Sequence, residues 1–367
     1  MIIRASSSPG EIRAVACDAH GPLDYALERP GAPDGVGDLH RGRITARLPA
    51  LAGSFVKLHD GSEGFLPDSQ GSNAPEGTIL PVQVTRAPQG GKGPRLTARI
   101  TAPIEPGPVA LLRRGPGAIE RLAALHPTAE IELDDPALLA QLRPLLGDRL
   151  RLVRQAFPES LESQIESLSE SHVALPGGST MSIHPTPALT AIDLDLGSAS
   201  TGRGDKGRTH EQANRAALPA LARQIRLRNL AGAIVIDLAG LSPKRRASLG
   251  PALAAALASD PLAPRFLGFS ALGLAEILRP RIHSPLHDLL APPLAAGLAA
   301  LRQAARDSAA RPHARLALRT TPAIAEALAT DPIALPAFTA RAGHPISLRP
   351  DPTLRPRAWH IEELAHG

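Results

Sequence analysis

Asp193 and Asp195 stand two residues apart in an apolar run, "LTAIDLDLGSAS" at 189–200. Side chains alternate along a strand, so Ala191, Asp193 and Asp195 share one face while Ile192, Leu194 and Leu196 take the other. A carboxylate in such a run costs stability unless something compensates it. A second run, "GAIVIDL", carries Asp237 near its end and is followed by a turn and a helix-like stretch. In α/β sheets that strand end is where ligands usually sit. If the two strands are neighbours, their carboxylates converge and repel, and a hard divalent cation relieves the repulsion. Mg²⁺ suits such a site, because it takes oxygen ligands, keeps several waters and is commonly held by one or two carboxylates with a substrate phosphate. The plain alternative is that each Asp caps the turn or helix that follows. Pattern alone leaves both readings open, and for Asp237 taken singly the cap is the better one.

A second group lies earlier, in "SFVKLHDGSEGFLP", which holds Phe55 and Phe65, two of six Phe in a chain that is 2% aromatic. Phe55, Lys57 and His59 share a strand face, and the Asp-Gly turn brings Phe65 back beside them. Rings next to a cation suit stacking of unpaired bases, worth about 1–3 kcal/mol per base. The glycine-rich "QGGKGPRLT" adds Lys92 and Arg95 as possible phosphate contacts. Either Phe alone fits the core of a small barrel equally well.

These residues need elements to hold them. Residues 36–101 read as short strands separated by Gly, Pro and Asp-Gly signals. From Gly107 the text alternates strand and helix, and the same grammar runs from about 172 to 286. In "SPKRRASLGPALAAALASD", Ser242 is the expected N-cap and Pro243 the first helical residue. Pro219 predicts a kink or boundary in the preceding helix. "APP" at 291–293 punctuates the next boundary, and 294–367 reads as a small α/β tail.

Composition sets limits. With 367 residues, two or three domains are expected. The net charge of +5 and a pI near 10.1 suit a polyanionic partner, though only Lys57, Lys92, Lys206 and Lys244 are lysines among 40 basic residues. Such Arg, Ala, Pro and Gly richness is also what a G+C-rich genome produces. One cysteine, Cys17, excludes an internal disulfide framework and a multi-cysteine zinc site. The start lacks a signal-peptide core, and "LLAPPLAAGLAAL" is too short and Pro-broken to span a bilayer. A soluble cytoplasmic protein with no membrane partner is expected.

With these residues in hand, the chain resembles the bacterial ribonuclease E/G family. The resemblance rests on "GRITARLPALAGSFVKLHDGSEGFLP" with "EGTILPVQVTRAPQGGKGPRLTARI", then "ESQIES" and "VALPGGS" before "ALTAIDLDLGSAS", then "ARQIRLRNLAGAIVIDLAGLSP" and "GLAEILRPRI". It weakens over the last seventy or so residues, roughly a domain tail's worth. It implies an α/β fold: a split RNase H-like subdomain (1–35 and 102–158), an inserted all-β OB-fold that binds RNA (36–101), a deoxyribonuclease I-like catalytic subdomain (159–290) and a small C-terminal α/β domain (291–367). The implied activity is cleavage of single-stranded RNA with Mg²⁺ as cofactor, leaving 5′-phosphate and 3′-hydroxyl ends. Asp193 and Asp237 match the family's magnesium-binding aspartates, Phe55, Phe65 and Lys92 match RNA-contacting positions, and Arg279 matches a basic residue near the metal. Lys57 and Arg281 lie beside these as further RNA-binding candidates.

The departures are as specific. Asp195, counted here with Asp193, Asp237 and Arg279 as a catalytic candidate, stands where the family has Asn; an amide donates a hydrogen bond and a carboxylate does not unless protonated, so Asp195 either ligates the metal or damages the site. Pro187 replaces an acid before "ALTAID". Between "LTARI" and "GPVALLRRGPGAIERL" there is no room for the family's domain that senses RNA 5′ ends. After "RPRIHSPLHDLLAPP" there is no Cys, so the zinc-linked dimer of the family is not expected, and His283 with His287 reads as an ordinary loop. A rival of another class keeps the fold and holds RNA without cutting it. A second, a nucleotide-binding protein using "RGPG" or "TGRGDKG" as a phosphate loop, fails because neither follows a strand and opens a helix.

Overall fold

The apolar runs around the aspartates form two parallel neighbouring strands, Leu189–Asp195 and Gly232–Leu238. In this computed structural model, which describes residues 1–364 except 72, 102, 176–177, 198–205 and 239, they are the centre of a six-stranded sheet. His172–Ala174 and Thr180–Pro185 extend it on one side, Ala275–Arg279 and Arg265–Phe269 on the other, all antiparallel. Helix Lys206–Leu227 is the crossover between the two aspartate strands. Helix Pro243–Leu257 packs beside it, with Ser242 as N-cap and Pro243 in its first turn, as the sequence predicts. One sheet face is apolar: Ile192, Leu194, Ile234, Ile236 and Leu238 bury against Leu218, Leu221, Ile225, Leu249 and Leu253. The alternation that sends these residues inward sends Asp193, Asp195 and Asp237 to the other, exposed face. Pro219 does not end its helix, which runs unbroken from 206 to 227. Its neighbours Ala217, Leu218 and Leu221 are buried in the sheet core, and that packing outweighs the missing amide.

Leu39–Leu48, Gly53–Lys57, Glu63–Pro67, Ile79–Arg86 and Arg95–Thr97 close into a five-stranded barrel consistent with an OB-fold. The first strand pairs with both the second and the fourth, and the fifth lies between third and fourth. Ile44, Val56, Leu66, Val82, Val84 and Leu96 fill the interior. The fourth and fifth strands are joined through a tight turn whose Gly90 (φ 59°) and Gly91 (φ 74°) are both left-handed, as a type I′ turn demands.

Strands Ile2–Ser8, Glu11–Asp18 and Gly21–Glu28 form an antiparallel meander, and Glu130–Leu133 and Leu150–Leu152 join it in parallel. The barrel therefore interrupts one sheet in sequence. "RGPG" does follow a strand, Ala110–Arg113, and opens helix Ala118–Leu125, contrary to the sequence expectation. It still makes no phosphate loop: Asp38 Oδ1 accepts from Gly115 N at 2.6 Å and Glu28 Oε2 from Ala118 N at 2.6 Å, so carboxylates already occupy those donors. "TGRGDKG" lies mostly outside the described residues.

This first sheet is joined to the crossover helix by ion pairs. Arg223 Nη2 meets Asp18 at 2.7 Å, and Arg226 grips Asp24, whose second neighbour is His126 at 2.6 Å. At the chain's end, Arg315–Thr320 lies between Ser347–Pro350 and Trp359–Leu364, covered by helix Pro293–Ala310. That helix brings Arg302 and Arg306 to Glu162, at 3.4 and 3.1 Å, which Arg13 already holds at 2.6 and 3.0 Å through both guanidinium nitrogens. Burial alone would raise the Glu162 carboxyl, but the Arg13 hydrogen bonds and the charges of Arg13, Arg302 and Arg306 hold it below the ordinary 4.5. A depressed acid contributes stability above the unfolded-state value and loses it as pH falls through the folded-state value. Glu162→Gln is therefore expected to lower the melting temperature near neutrality and to flatten its fall between about pH 5 and pH 3, which thermal melts across that window measure. Among the described residues no helix is long and apolar enough to cross a membrane.

Candidate active site

Asp193 and Asp237 are direct cross-strand partners in the parallel pair. Strand spacing puts their backbones about 4.8 Å apart with both side chains on the exposed face. Among the described residues neither carboxylate makes a hydrogen bond or ion pair. Two unpaired acids at this separation are a donor set for a hard cation, and Mg²⁺, which needs few protein ligands and completes its shell with water and phosphate, fits it. Among the described residues no three His, Cys, Asp or Glu side chains converge on a common point. The same row continues across the sheet: Ser182 lies opposite Asp193, and His172 opposite Ser182, with Ser182 Oγ 3.0 Å from His172 Nδ1.

Asp195 is on the same face, two residues on and thus about 7 Å along the strand. Its Oδ1 accepts from Gly197 N at 2.9 Å. The turn-capping alternative is thus realised at Asp195, where Gly197 has φ 50° and a Cβ would come within 2.6 Å of the Gly178 carbonyl. The segment after Asp237 is held from the crossover helix: His210 Nδ1 donates to the Gly240 carbonyl at 3.2 Å. Sequence reasoning did not single out His210, and no local motif marks it.

On the barrel, Phe55 and Phe65 are cross-strand partners facing outward, half-buried, with ring centroids 6.1 Å apart and edge to face. Their sheet neighbours extend the row: Phe65 pairs with Arg95, and Arg95 with Arg86. Arg281 follows, since the charges of Arg95 and Arg281, after burial, hold the Arg86 pKa below its usual value. Two rings and the guanidinium groups of Arg95 and Arg86 thus line one barrel face, with Arg281 near Arg86 and beside Gly232 of the aspartate sheet. Lys57 is exposed at the end of the Phe55 strand, opposite Glu63, and Lys92 is exposed at the Gly-Gly turn. The barrel is fixed against the sheet by Ala87 N to Ile282 O at 2.8 Å and Gln89 Nε2 to His283 O at 2.9 Å. Arg86 was missed because pairing of the third, fifth and fourth strands is not written in any local pattern.

Arg279 is a correction. It is 3% exposed, on the helix-facing side of its strand with Ala275 and Ile277. Its Nε and Nη2 hold Asp260 at 2.7 and 3.3 Å, and its Nη1 reaches Asn229 Oδ1 at 2.7 Å. It pairs with Gly232, five residues before Asp237, so it lies about 16 Å from the aspartates and on the wrong face. Its charge is spent on folding. His283 contacts Asp34 at 2.6 Å, while His287 sits in helix Leu286–Leu290, so the two do not act together.

The comparisons with known proteins fall on the same residues. A model of the ribonuclease E/G family matches residues 137–282, the stretch that contains both aspartates. Ribonuclease E of Escherichia coli (strain K12) is 26% identical over 397 residues, taking in 78% of this chain and 37% of that protein. Ribonuclease G of the same strain is 26% identical, over 77% of this chain and 80% of its own length. Over this stretch the chain is similar to the ribonuclease E/G family. Its match spans well under half of the ribonucleases E, 42% for that of Haemophilus influenzae. The 397 aligned residues exceed the 367 of this chain, so the E. coli ribonuclease E carries residues within the matched region that this chain lacks.

Proposed function

We propose that this chain is a magnesium-dependent endoribonuclease that cuts single-stranded RNA to 5′-phosphate and 3′-hydroxyl ends. The observation that carries the reading is the register of Asp193 with Asp237, two exposed carboxylates without partners among the described residues of a chain similar to the ribonuclease E/G family. Both would hold the ion, which when bound supplies Lewis-acid charge and a water of lowered pKa. The chain's own part is positioning. Phe55 and Phe65 stack unpaired bases, and Arg95 and Arg86 beside them hold the phosphates. The meander with two added parallel strands supports an RNase H-like subdomain, and the aspartate sheet a deoxyribonuclease I-like one. Only a short linker joins the last barrel strand, Arg95–Thr97, to strand Ala110–Arg113, so cleavage would not discriminate 5′ ends through a domain inserted there. Zinc-shared pairing has no cysteine pair to use, and a lone Cys17 suits a reducing cytoplasm.

The test is incubation of labelled A/U-rich single-stranded RNA with Mg²⁺ or EDTA, and mapping of product ends. Internal cuts bearing 5′-phosphates in Mg²⁺ alone support the reading; intact but bound RNA under both conditions replaces it with the rival, an RNA-binding protein that has lost cleavage. Asp195 favours that rival, because its carboxylate binds the Gly197 amide and offers Asp193 no donor. In either case Phe65→Ala is expected to weaken binding of a single-stranded oligomer by about 1–3 kcal/mol while leaving barrel folding intact, read by fluorescence anisotropy and circular dichroism.

A further inference from the structure

A cavity of about 420 Å³ lies away from the aspartate face, between the end of the crossover helix, helix Leu286–Leu290 and strand Thr180–Pro185. Its cationic side chains are Arg228 and Arg357, and Glu170 is its one acidic lining residue; His287 also lines it, with Nε2 3.5 Å from Asp288 Oδ1, and burial holds its pKa below the ordinary value, which leaves it a neutral hydrogen-bonding group. Arg228 is 7% exposed, and its Nη1 donates to the Leu168 and Glu170 carbonyls at 2.7 Å each, its Nε to Gln224 Oε1 at 2.9 Å. Among the described residues its Nη2 makes no hydrogen bond, and no carboxylate lies within ion-pair distance of the guanidinium. A buried, permanently charged group without a counter-ion is costly, and a bound anion removes the cost. That burial, only partly offset by the Glu170 charge, pushes the Arg228 pKa down to about 10. His287 has a buried Nδ1 with no partner. Arg357, at the mouth, spends one nitrogen on the Ala291 carbonyl at 2.9 Å. Ile183, Leu168 and Leu290 supply apolar wall.

We infer that this cavity is a binding site for a phosphomonoester of nucleotide size, with Arg228 Nη2, Arg357 and His287 converging on the phosphate and the apolar wall against the attached group. The volume falls in the range of small-ligand pockets, and a phosphate dianion accepts several charge-assisted bonds at once. The site could be filled by a free nucleotide or by the 5′-phosphate end of an RNA, which share this chemistry. The inference goes beyond the proposed cleavage and does not need it.

The test is calorimetric titration of the full chain in EDTA, so that no metal joins the aspartates, with inorganic phosphate, AMP, and matched short oligoribonucleotides bearing a 5′-phosphate or a 5′-hydroxyl. Binding of AMP with a Kd of about 1 mM or tighter is expected, weakened at least tenfold in both Arg357→Gln and His287→Gln at unchanged melting temperature. If AMP binds and the 5′-phosphate oligomer gains nothing over its 5′-hydroxyl twin, the site takes free nucleotides. If the 5′-phosphate oligomer gains tenfold, and loses that gain in the variants, it takes RNA ends. No binding of phosphate or AMP up to about 10 mM together with equal binding of the two oligomers overturns the inference, as does binding that both variants leave unchanged.

Discussion

Asp237→Asn is expected to lower RNA cleavage by about 1,000-fold or more, about 4 kcal/mol of barrier, with oligomer binding unchanged. The reason is local. Asn keeps the size of Asp but removes the charge, so the pair with Asp193 no longer offers two carboxylates to a cation. The side chain is exposed and, among the described residues, holds nothing, so the fold loses nothing measurable, within about 0.5 kcal/mol. In the proposed reading RNA affinity comes from the barrel row of Phe55, Phe65 and Arg95, which the change does not touch. Asp193→Asn is expected to behave alike, and the double variant to be little worse than either single, because groups acting as one unit are not additive. Single-turnover cleavage with saturating RNA, and anisotropy for binding, read these effects separately. Undiminished cleavage by Asp237→Asn would remove the aspartate pair from the reaction.

The aspartate strands were legible because period-two alternation is a local property: in "LTAIDLDL" Ile192, Leu194 and Leu196 recur at every second position, and the acids fall between. That Asp193 and Asp237 lie in register was not, since register is set by how "GAIVIDL" packs against the same helices. Arg279 shows the opposite failure. A motif match placed it near the metal, yet its own parity spoke against that: 275, 277 and 279 alternate together, and Ala275 and Ile277 are plainly inward residues. The barrel's aromatic pair could be read because an Asp-Gly turn folds "SFVKLHDGSEGFLP" back on itself. Arg86 could not, because its neighbour Arg95 reaches it only through closure of the barrel. "RGPG" sits in the right local order for a phosphate loop, and what excludes it, Asp38 and Glu28, comes from strands and turns far away in the chain.

Asp24→Ala is expected to destabilise the protein by about 3–5 kcal/mol, the range for removing one partner of a buried ion pair. Asp24 is 6% exposed and Arg226 8%, and both Asp24 oxygens are taken, by Arg226 Nε and Nη2 and by His126 Nε2. Without Asp24 the guanidinium keeps, among the described residues, only the Ser259 carbonyl at 2.8 Å and stays buried with an uncompensated charge. Urea unfolding measures the loss as a lower midpoint at constant slope. The paired change Asp24→Leu with Arg226→Leu should recover part of it, because then neither charge is stranded; a pair as unstable as Asp24→Ala would assign the loss to packing instead. The ion pair also bears on the site. Arg226 is on the helix that connects the two aspartate strands, and Asp24 is on the first sheet, so their contact fixes the crossover against the rest of the fold. A loosened crossover helix can shift the strands that hold Asp193 and Asp237 in register. Asp24→Ala should therefore lose cleavage on warming before it loses barrel-borne RNA binding, since no residue of the pair lies on the Phe55 and Phe65 face.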